Sequence, residues 1–244
     1  MSAIRNNKVA SLRGALLAAA TLGAVWAIPA SAEPVGQPYS LNGVWLADGD
    51  GYLTTRDGEL PPLKPEYREA YLASRDAFVA GKDDALDLSL RCKPPGEPRL
   101  MIDPGVPFEI VESEKRILIG YQWNRLVRMI EMGDPRELIG PTYFGQNAGH
   151  WDGDGLVVDV QGLHENIRLD SSGLPHGENA RLTERFSLVS PDEMVVRFRF
   201  DDPEVYTEPW EAEVRFHRQP DGTRIKEDIC LTRLGISLQS SDAE

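Results

Sequence analysis

Cysteine is almost absent. The 244 residues hold only Cys92 and Cys230, and without a C-x-x-C spacing they offer no thiolate frame for structural zinc. There is no G-x-S-x-G elbow, no phosphate-cradling glycine loop and no dinucleotide-binding glycine fingerprint behind a strand. These gaps argue against a hydrolase nucleophile of that kind and against a nucleotide cofactor. Histidine is sparse, with four residues, and the positions of His150, His164 and His176 match no compact ligand motif, so neither a metal nor a cofactor is expected. Internal repeats and low-complexity tracts are missing too.

Long apolar runs are confined to the N-terminus. Arg5, Lys8 and Arg13 precede an apolar stretch from Ala15 to Ile28, followed by Ala30-Ser31-Ala32. This is the layout of a cleaved secretory signal peptide over residues 1–32, with its A-x-A site. The run is too short for a membrane span, and no second one follows. No cysteine at the cleavage point would carry a lipid, and no Arg-Arg pair points to a twin-arginine route. The expected product is a bacterial periplasmic chain beginning at Glu33, with no membrane insertion.

Removing residues 1–32 takes away three positive charges and no negative ones. That leaves 23 Lys+Arg against 39 Asp+Glu, a formal charge of −16, which repels nucleic acid and anionic membrane. The remaining chain is long enough for one β domain with its own core. In an oxidising compartment the two cysteines are a candidate disulfide, and closing so long a loop would stabilise the fold by roughly 4–5 kcal/mol on the chain-entropy account. Two buried free thiols are the alternative.

Residues 33–62 are rich in Gly, Pro and Asp and read as an N-terminal extension with a possible first strand in Leu41-Asn42-Gly43-Val44-Trp45-Leu46. Its G-x-W resembles the first strand of lipocalin-type barrels. Asp48, Asp50 and Glu59 fall at calcium-loop positions, but Leu53 stands where that loop needs glycine, so paired Asp-Gly turns are the reading there. Residues 63–244 form the expected barrel domain. From Pro65 to Ala80 the spacing of Tyr67, Tyr71, Ser74 and Phe78 predicts an amphipathic helix with proline in its first turn. Beyond the connector RCKPPGEPR the signals are β: FEIVES, KRILIGYQWNRLVRMIEM, GLVVDV, ARLTERFSLV, EMVVRFRF, WEAEVRFHR and TRIKEDICLTRL. Short turns between several of them predict an antiparallel meander, closed or nearly closed into a lipocalin-like barrel.

Alternation then assigns faces. Glu184 is in phase with Leu182, Phe186 and Leu188, so its carboxylate points inward. In RILIGYQWNRLV, Arg125 shares the face of Ile117, Ile119, Tyr121, Trp123 and Val127 and is also expected inside. Buried charges need partners, so Glu184 pairs with an inward arginine, or both line a wet cavity fit for one small molecule. His176 follows Gly173 and Pro175 on the turn feeding the Glu184 strand, at a rim of the barrel. With Glu184 and Asp170 it forms a candidate acid–base group.

Four motifs carry a resemblance. Gly149, Trp151, Asp152, Gly153 and Asp154 form the first, and Leu169, Asp170, Gly173, Pro175 and His176 the second. Thr183 to Phe186 form the third, and Asp201, Asp202, Pro203, Tyr206, Thr207, Pro209 and Trp210 the fourth. Together they resemble an uncharacterised family of exported bacterial proteins with the patterns G-x-W-D-G-D-x-L-V-V, L-D-x-x-G-x-P-H, T-E-R-F and D-D-P-x-x-Y-T-x-P-W. Cys92, Pro95, Gly96, Pro98 and Arg99 are similar to its proline-rich connector, and Arg128 to an arginine that there follows a tryptophan, a place taken here by Val127. Gly155 replaces a threonine. The resemblance implies cofactor-free conversion of lignin-derived aromatic acids, such as decarboxylation to a stilbene. In that reading Arg125 or Arg128 holds the substrate carboxylate, Tyr121, Trp123, Tyr206 and Trp210 enclose its ring, and His176 with Glu184 or Asp170 moves a proton. A non-catalytic carrier of a small hydrophobic ligand is the main competing expectation, and a structural or envelope-associated protein with a filled core is the third.

Overall fold

The computed structural model describes residues 40–82, 87–134 and 140–233; the expected signal peptide lies outside them. Nine strands close into a barrel in chain order: β1 Gly43–Asp48, β2 Phe108–Glu112, β3 Arg116–Tyr121, β4 Val127–Met132, β5 Gln146–Asp152, β6 Gly155–Gln161, β7 Arg181–Ser190, β8 Glu193–Asp201 and β9 Trp210–Arg218. The mainly β, lipocalin-like barrel expected from the alternating runs is therefore present. The extension is not separate from it, because β1 pairs with both β2 and β9.

The meander is antiparallel except at one seam. A closed ring with an odd number of strands cannot alternate direction all the way round, so at least one neighbouring pair must be parallel. That pair is β4–β5, joined only at Glu131↔Ala148 and Met132↔Gly149. β5 itself, in the Gly- and Asn-containing QNAGHWD, carries little strand propensity, and it pairs along its whole length with β6 across the Asp152-Gly153-Asp154-Gly155 turn. Gly153 takes the positive φ (61°) that such a tight turn requires.

Two expectations from the strand runs are corrected. The stretch KRILIGYQWNRLVRMIEM is two strands, not one. Asn124 and Arg125 adopt left-handed backbone conformations (φ 48° and 53°) and turn the chain between β3 and β4. Alternation restarts after the turn, so Arg125 and Val127 are exposed while Arg128 is buried. The described residues of the TRIKEDICLTRL segment, 223–233, form no strand. They run as irregular chain past the β3–β4 turn, where Lys226 N–H donates to Gln122 and Asn124 N–H to Asp228, and end in the helix α3 Cys230–Arg233.

The predicted helix is α1, Pro65–Val79 in the labelling used here. A second short helix, α2 at Arg99–Ile102, packs Leu100, Met101 and Ile102 into the core. The β1–β2 excursion with both of these helices, the β6–β7 loop and the β8–β9 loop lie at one end of the barrel, and the short β2–β3, β5–β6 and β7–β8 turns lie at the other. Cys92 and Cys230 form a disulfide, which ties the connector ahead of α2 to α3.

Candidate functional site

Inside the long-loop end, five elements deliver polar side chains to one point. Arg128, the second residue of β4, is fully buried. Its Nη2 donates to Glu184 Oε2 at 2.6 Å and its Nη1 to Glu184 Oε1 at 3.3 Å, a two-pronged contact with β7. Its Nε donates to Asn147 Oδ1 of β5 at 2.8 Å, so the guanidinium also bridges the short parallel seam. On the remaining side stands Glu97, with Oε2 3.5 Å from Nη1. Tyr121 at the end of β3 donates its hydroxyl to Glu97 Oε1. Glu184 points inward as its phase predicted, and its partner is Arg128, not Arg125.

The two carboxylates are held differently. Glu184 accepts two charge-assisted hydrogen bonds, whereas Glu97 Oε2 accepts none. Burial works against the charge on every member. It pushes the Glu97 carboxyl up to about 7 from 4.5; Arg128 opposes this, Glu184 reinforces it and the Tyr121 hydrogen bond opposes it. Burial lifts Glu184 as well, against Arg128's charge and hydrogen bonds. For Arg128 burial acts downward, but Glu184 and Glu97 outweigh it and keep the guanidinium charged. Desolvation and Glu97 raise the Tyr121 phenol. Glu97, with one oxygen that accepts no hydrogen bond, is the less firmly held of the two carboxylates.

Sequence reasoning missed Glu97. It lies in an irregular connector where no periodicity assigns a face. The available signal was a lone carboxylate between Gly96 and Pro98 beside a cysteine. The chain turns there through Gly96 (φ 84°), where a Cβ would come within 2.6 Å of Ile167 and 2.8 Å of the Tyr143 carbonyl, so only glycine lets the connector pass close enough to present Glu97. Aromatic rings lie beside the cluster: Phe144 stacks on Tyr121 at 5.9 Å, and Phe108 tilts against it at 5.7 Å.

The expected group of His176, Glu184 and Asp170 is not brought together; no hydrogen bond or ion pair links them among the described residues. Asp170 is a loop clasp. Its Oδ1 accepts from the backbone N–H of Ser172 and Leu174 and from the Ser172 hydroxyl, and its Oδ2 accepts from Leu53 N–H. His176 Nδ1 contacts the Gly177 carbonyl at 2.8 Å, and because a carbonyl only accepts, Nδ1 carries the hydrogen. Burial lowers the imidazole's proton affinity, with Gly177 and Asp202 opposing, which favours the neutral ring. His176 borders a surface depression of about 480 Å³ shared with His164, Glu165, Glu178 and Glu204.

The four aromatics also separate. Tyr121 belongs to the Arg128 cluster. Trp123 is buried beside the turn that carries Arg125. Tyr206 donates to the Pro175 carbonyl at 2.8 Å, and Trp210 stacks on Phe200 at 4.2 Å. These last two pack the loop end. Asp202 of the same motif accepts from the N–H groups of Gly177, Glu204 and Val205. No group of three or more His, Cys, Asp or Glu side chains suited to a metal occurs among the described residues, and no helix among them is long and apolar enough to cross a membrane.

Neither a protein-family model nor a curated protein sequence matches the chain. Among solved structures the barrel is similar to zebrafish ileal bile acid-binding protein complexed with cholic acid. That match has 11% identity and a TM-score of 0.36, covering 73% of this chain and 98% of that one. It is also similar to a mutant of the fluorescent protein UnaG, with 11% identity and a TM-score of 0.34, covering 74% and 97%.

Proposed function

We propose that this chain is an exported, periplasmic β-barrel that takes a small aromatic or otherwise hydrophobic acid into its interior and holds the acid group on Arg128. The observation that carries this reading is the Arg128 cluster itself: a guanidinium buried inside the loop end of a small barrel, held by Glu184 and Asn147 and more loosely contacted by Glu97, with Tyr121, Phe108 and Phe144 alongside. Arginine suits this role because its donor fork matches a carboxylate in geometry and keeps its charge when buried. The test is titration of the purified mature protein with a panel of lignin-type aromatic acids, read by calorimetry. The reading expects a subset to bind wild type and not Arg128→Lys, with the corresponding amides binding neither. Equal binding of acids and amides would overturn it.

A second, finer reading is favoured by one feature, the Glu97 carboxyl held near a neutral proton affinity against the Tyr121 hydroxyl. A pair of this kind can pass a proton to or from a phenol or departing oxygen. The chain would then be a cofactor-independent lyase of the decarboxylase type, with Glu97 and Tyr121 replacing His176 and Asp170 in the acid–base role. Incubating chelator-treated protein with the same panel and following loss of carboxylate tests this. Turnover should fall by a factor on the order of 10²–10⁴ in Glu97→Gln, and turnover that survives Glu97→Gln but is lost in His176→Gln would return the role to the rim histidine.

A further inference from the structure

Glu97 differs from every other member of the cluster in how it arrives. Arg128, Glu184, Asn147 and Tyr121 stand on β4, β7, β5 and β3. Glu97 comes from outside the sheet, on the connector between the disulfide at Cys92 and the helix α2. That connector crosses the loop end of the barrel, anchored by the Glu97 N–H to Tyr143 carbonyl bond at 3.3 Å and by Leu100 N–H to the Gly96 carbonyl at 2.9 Å. Its one charged group reaching Arg128 is a carboxylate, it contacts Nη1, the nitrogen that also donates to Glu184 Oε1, and it makes the longest contact there, 3.5 Å, with an oxygen that accepts no hydrogen bond. The buried cation thus has one fixed counter-ion and one loosely seated one.

Building on the reading above, we infer that Glu97 is an internal stand-in for the ligand's own carboxylate: it occupies Arg128 Nη1 while no ligand is bound, and the acid group of a monocarboxylate ligand takes its place there. The energetic logic is that of a buried charge. Glu184 alone balances the charge of Arg128, so Glu97 is the surplus carboxylate of the cluster, and its looser geometry makes it the one that can give way to another acid group. The arrangement also sets ligand charge. A monocarboxylate that takes the place of Glu97 while Glu97 takes up a proton leaves the charge of the cluster unchanged, whereas a dicarboxylate would add an unpaired buried charge. Glu97, displaced, stays on the Tyr121 hydroxyl and holds a proton there more readily than an ordinary glutamate.

Two variants of the disulfide-bonded mature protein test this, with benzoate and acetate as probes. A site already occupied by its own carboxylate binds below its intrinsic affinity, by the fraction of molecules in which that carboxylate is displaced. In Glu97→Gln, which keeps the shape and removes the charge, benzoate affinity at pH 8 should rise about tenfold or more over wild type, while benzamide binds neither protein. In Glu97→Ala, free acetate should fit where the side chain was: millimolar acetate should raise the thermal midpoint of this variant and leave wild type unmoved, and acetamide should do nothing. Benzoate binding that is equal in wild type and Glu97→Gln, or weaker in the variant, would overturn the stand-in role and leave the Arg128 reading intact. Absence of benzoate binding in both, with no acetate effect on Glu97→Ala, would overturn both.

Discussion

Two pairs of buried acids in the same barrel are held in opposite ways. At the loop end, Asp170 and Asp202 are surrounded by neutral backbone N–H donors, and each carboxylate is satisfied by the loops it ties together. In the interior, Glu184 and Glu97 face a single guanidinium, and one carboxylate oxygen is left without a hydrogen bond. Many aligned backbone dipoles stabilise a carboxylate without bringing a second ion into the core, which is a sound way to pin a loop. An ion cluster whose members are unequally satisfied adds less to stability and keeps a site that can respond to a charged guest. In the first arrangement the LDSSGLPH and DDPEVY segments of the chain act as clasps. The second points to where chemistry with a ligand would take place.

Substitution separates the two kinds of acid. Glu184→Ala should cost the most, roughly 3–5 kcal/mol, because it strips Arg128 of its two-pronged counter-ion and leaves only the looser Glu97. Asp170→Ala should cost on the order of 2–4 kcal/mol, since it leaves buried backbone donors from two loops unsatisfied. Asp170→Asn should recover part of that loss because an amide oxygen still accepts, whereas Glu184→Gln should recover less because the missing charge is what Arg128 needs. Denaturant midpoints of the four variants check this, and a larger recovery at Glu184 than at Asp170 would break the comparison.

The interior cluster also carries a pH signature. The Glu97 carboxyl titrates near 7 in the folded chain against 4.5 in the unfolded one, so between those values the folded state binds the extra proton. The resulting stability is fully present below about pH 4.5 and is lost as the pH rises through about 7, a fall on the order of 3 kcal/mol. Arg128, Glu184 and Tyr121 face Glu97; of these Glu184, also raised by burial, acts in the same direction. Thermal midpoints measured from pH 5 to pH 8 should decline for wild type and flatten over the neutral limb in Glu97→Gln. A parallel decline in the variant would assign the effect to another group.

The smallest effect is expected at the rim. His176→Gln removes one hydrogen bond to the Gly177 carbonyl at a partly exposed position, so stability should change by about 1 kcal/mol or less. Benzoate affinity should stay within error of wild type, as calorimetry would report. A large loss of affinity there would move the candidate site from the interior to the depression that His176 shares with His164.

What the sequence determined by itself is whatever depends on local period and turn chemistry. The β class, the helix at Pro65, the inward phase of Glu184 and the need of that buried carboxylate for an arginine all follow from alternation, proline placement and the cost of an unpaired charge. Tertiary structure decided which arginine. Both Arg125 and Arg128 lie in one apolar run, and only the left-handed turn at Asn124 and Arg125, which resets the alternation, turns the first outward and the second inward. It decided the disulfide, since loop length sets what a bridge contributes but not whether two distant cysteines meet. It decided the parallel seam, which strand parity forces only once nine strands are known to close. It also decided Glu97, because a residue in irregular chain has no period from which its direction can be read, and its place beside Arg128 exists only when the connector, pinned at its disulfide and at Gly96, crosses the end of the finished barrel.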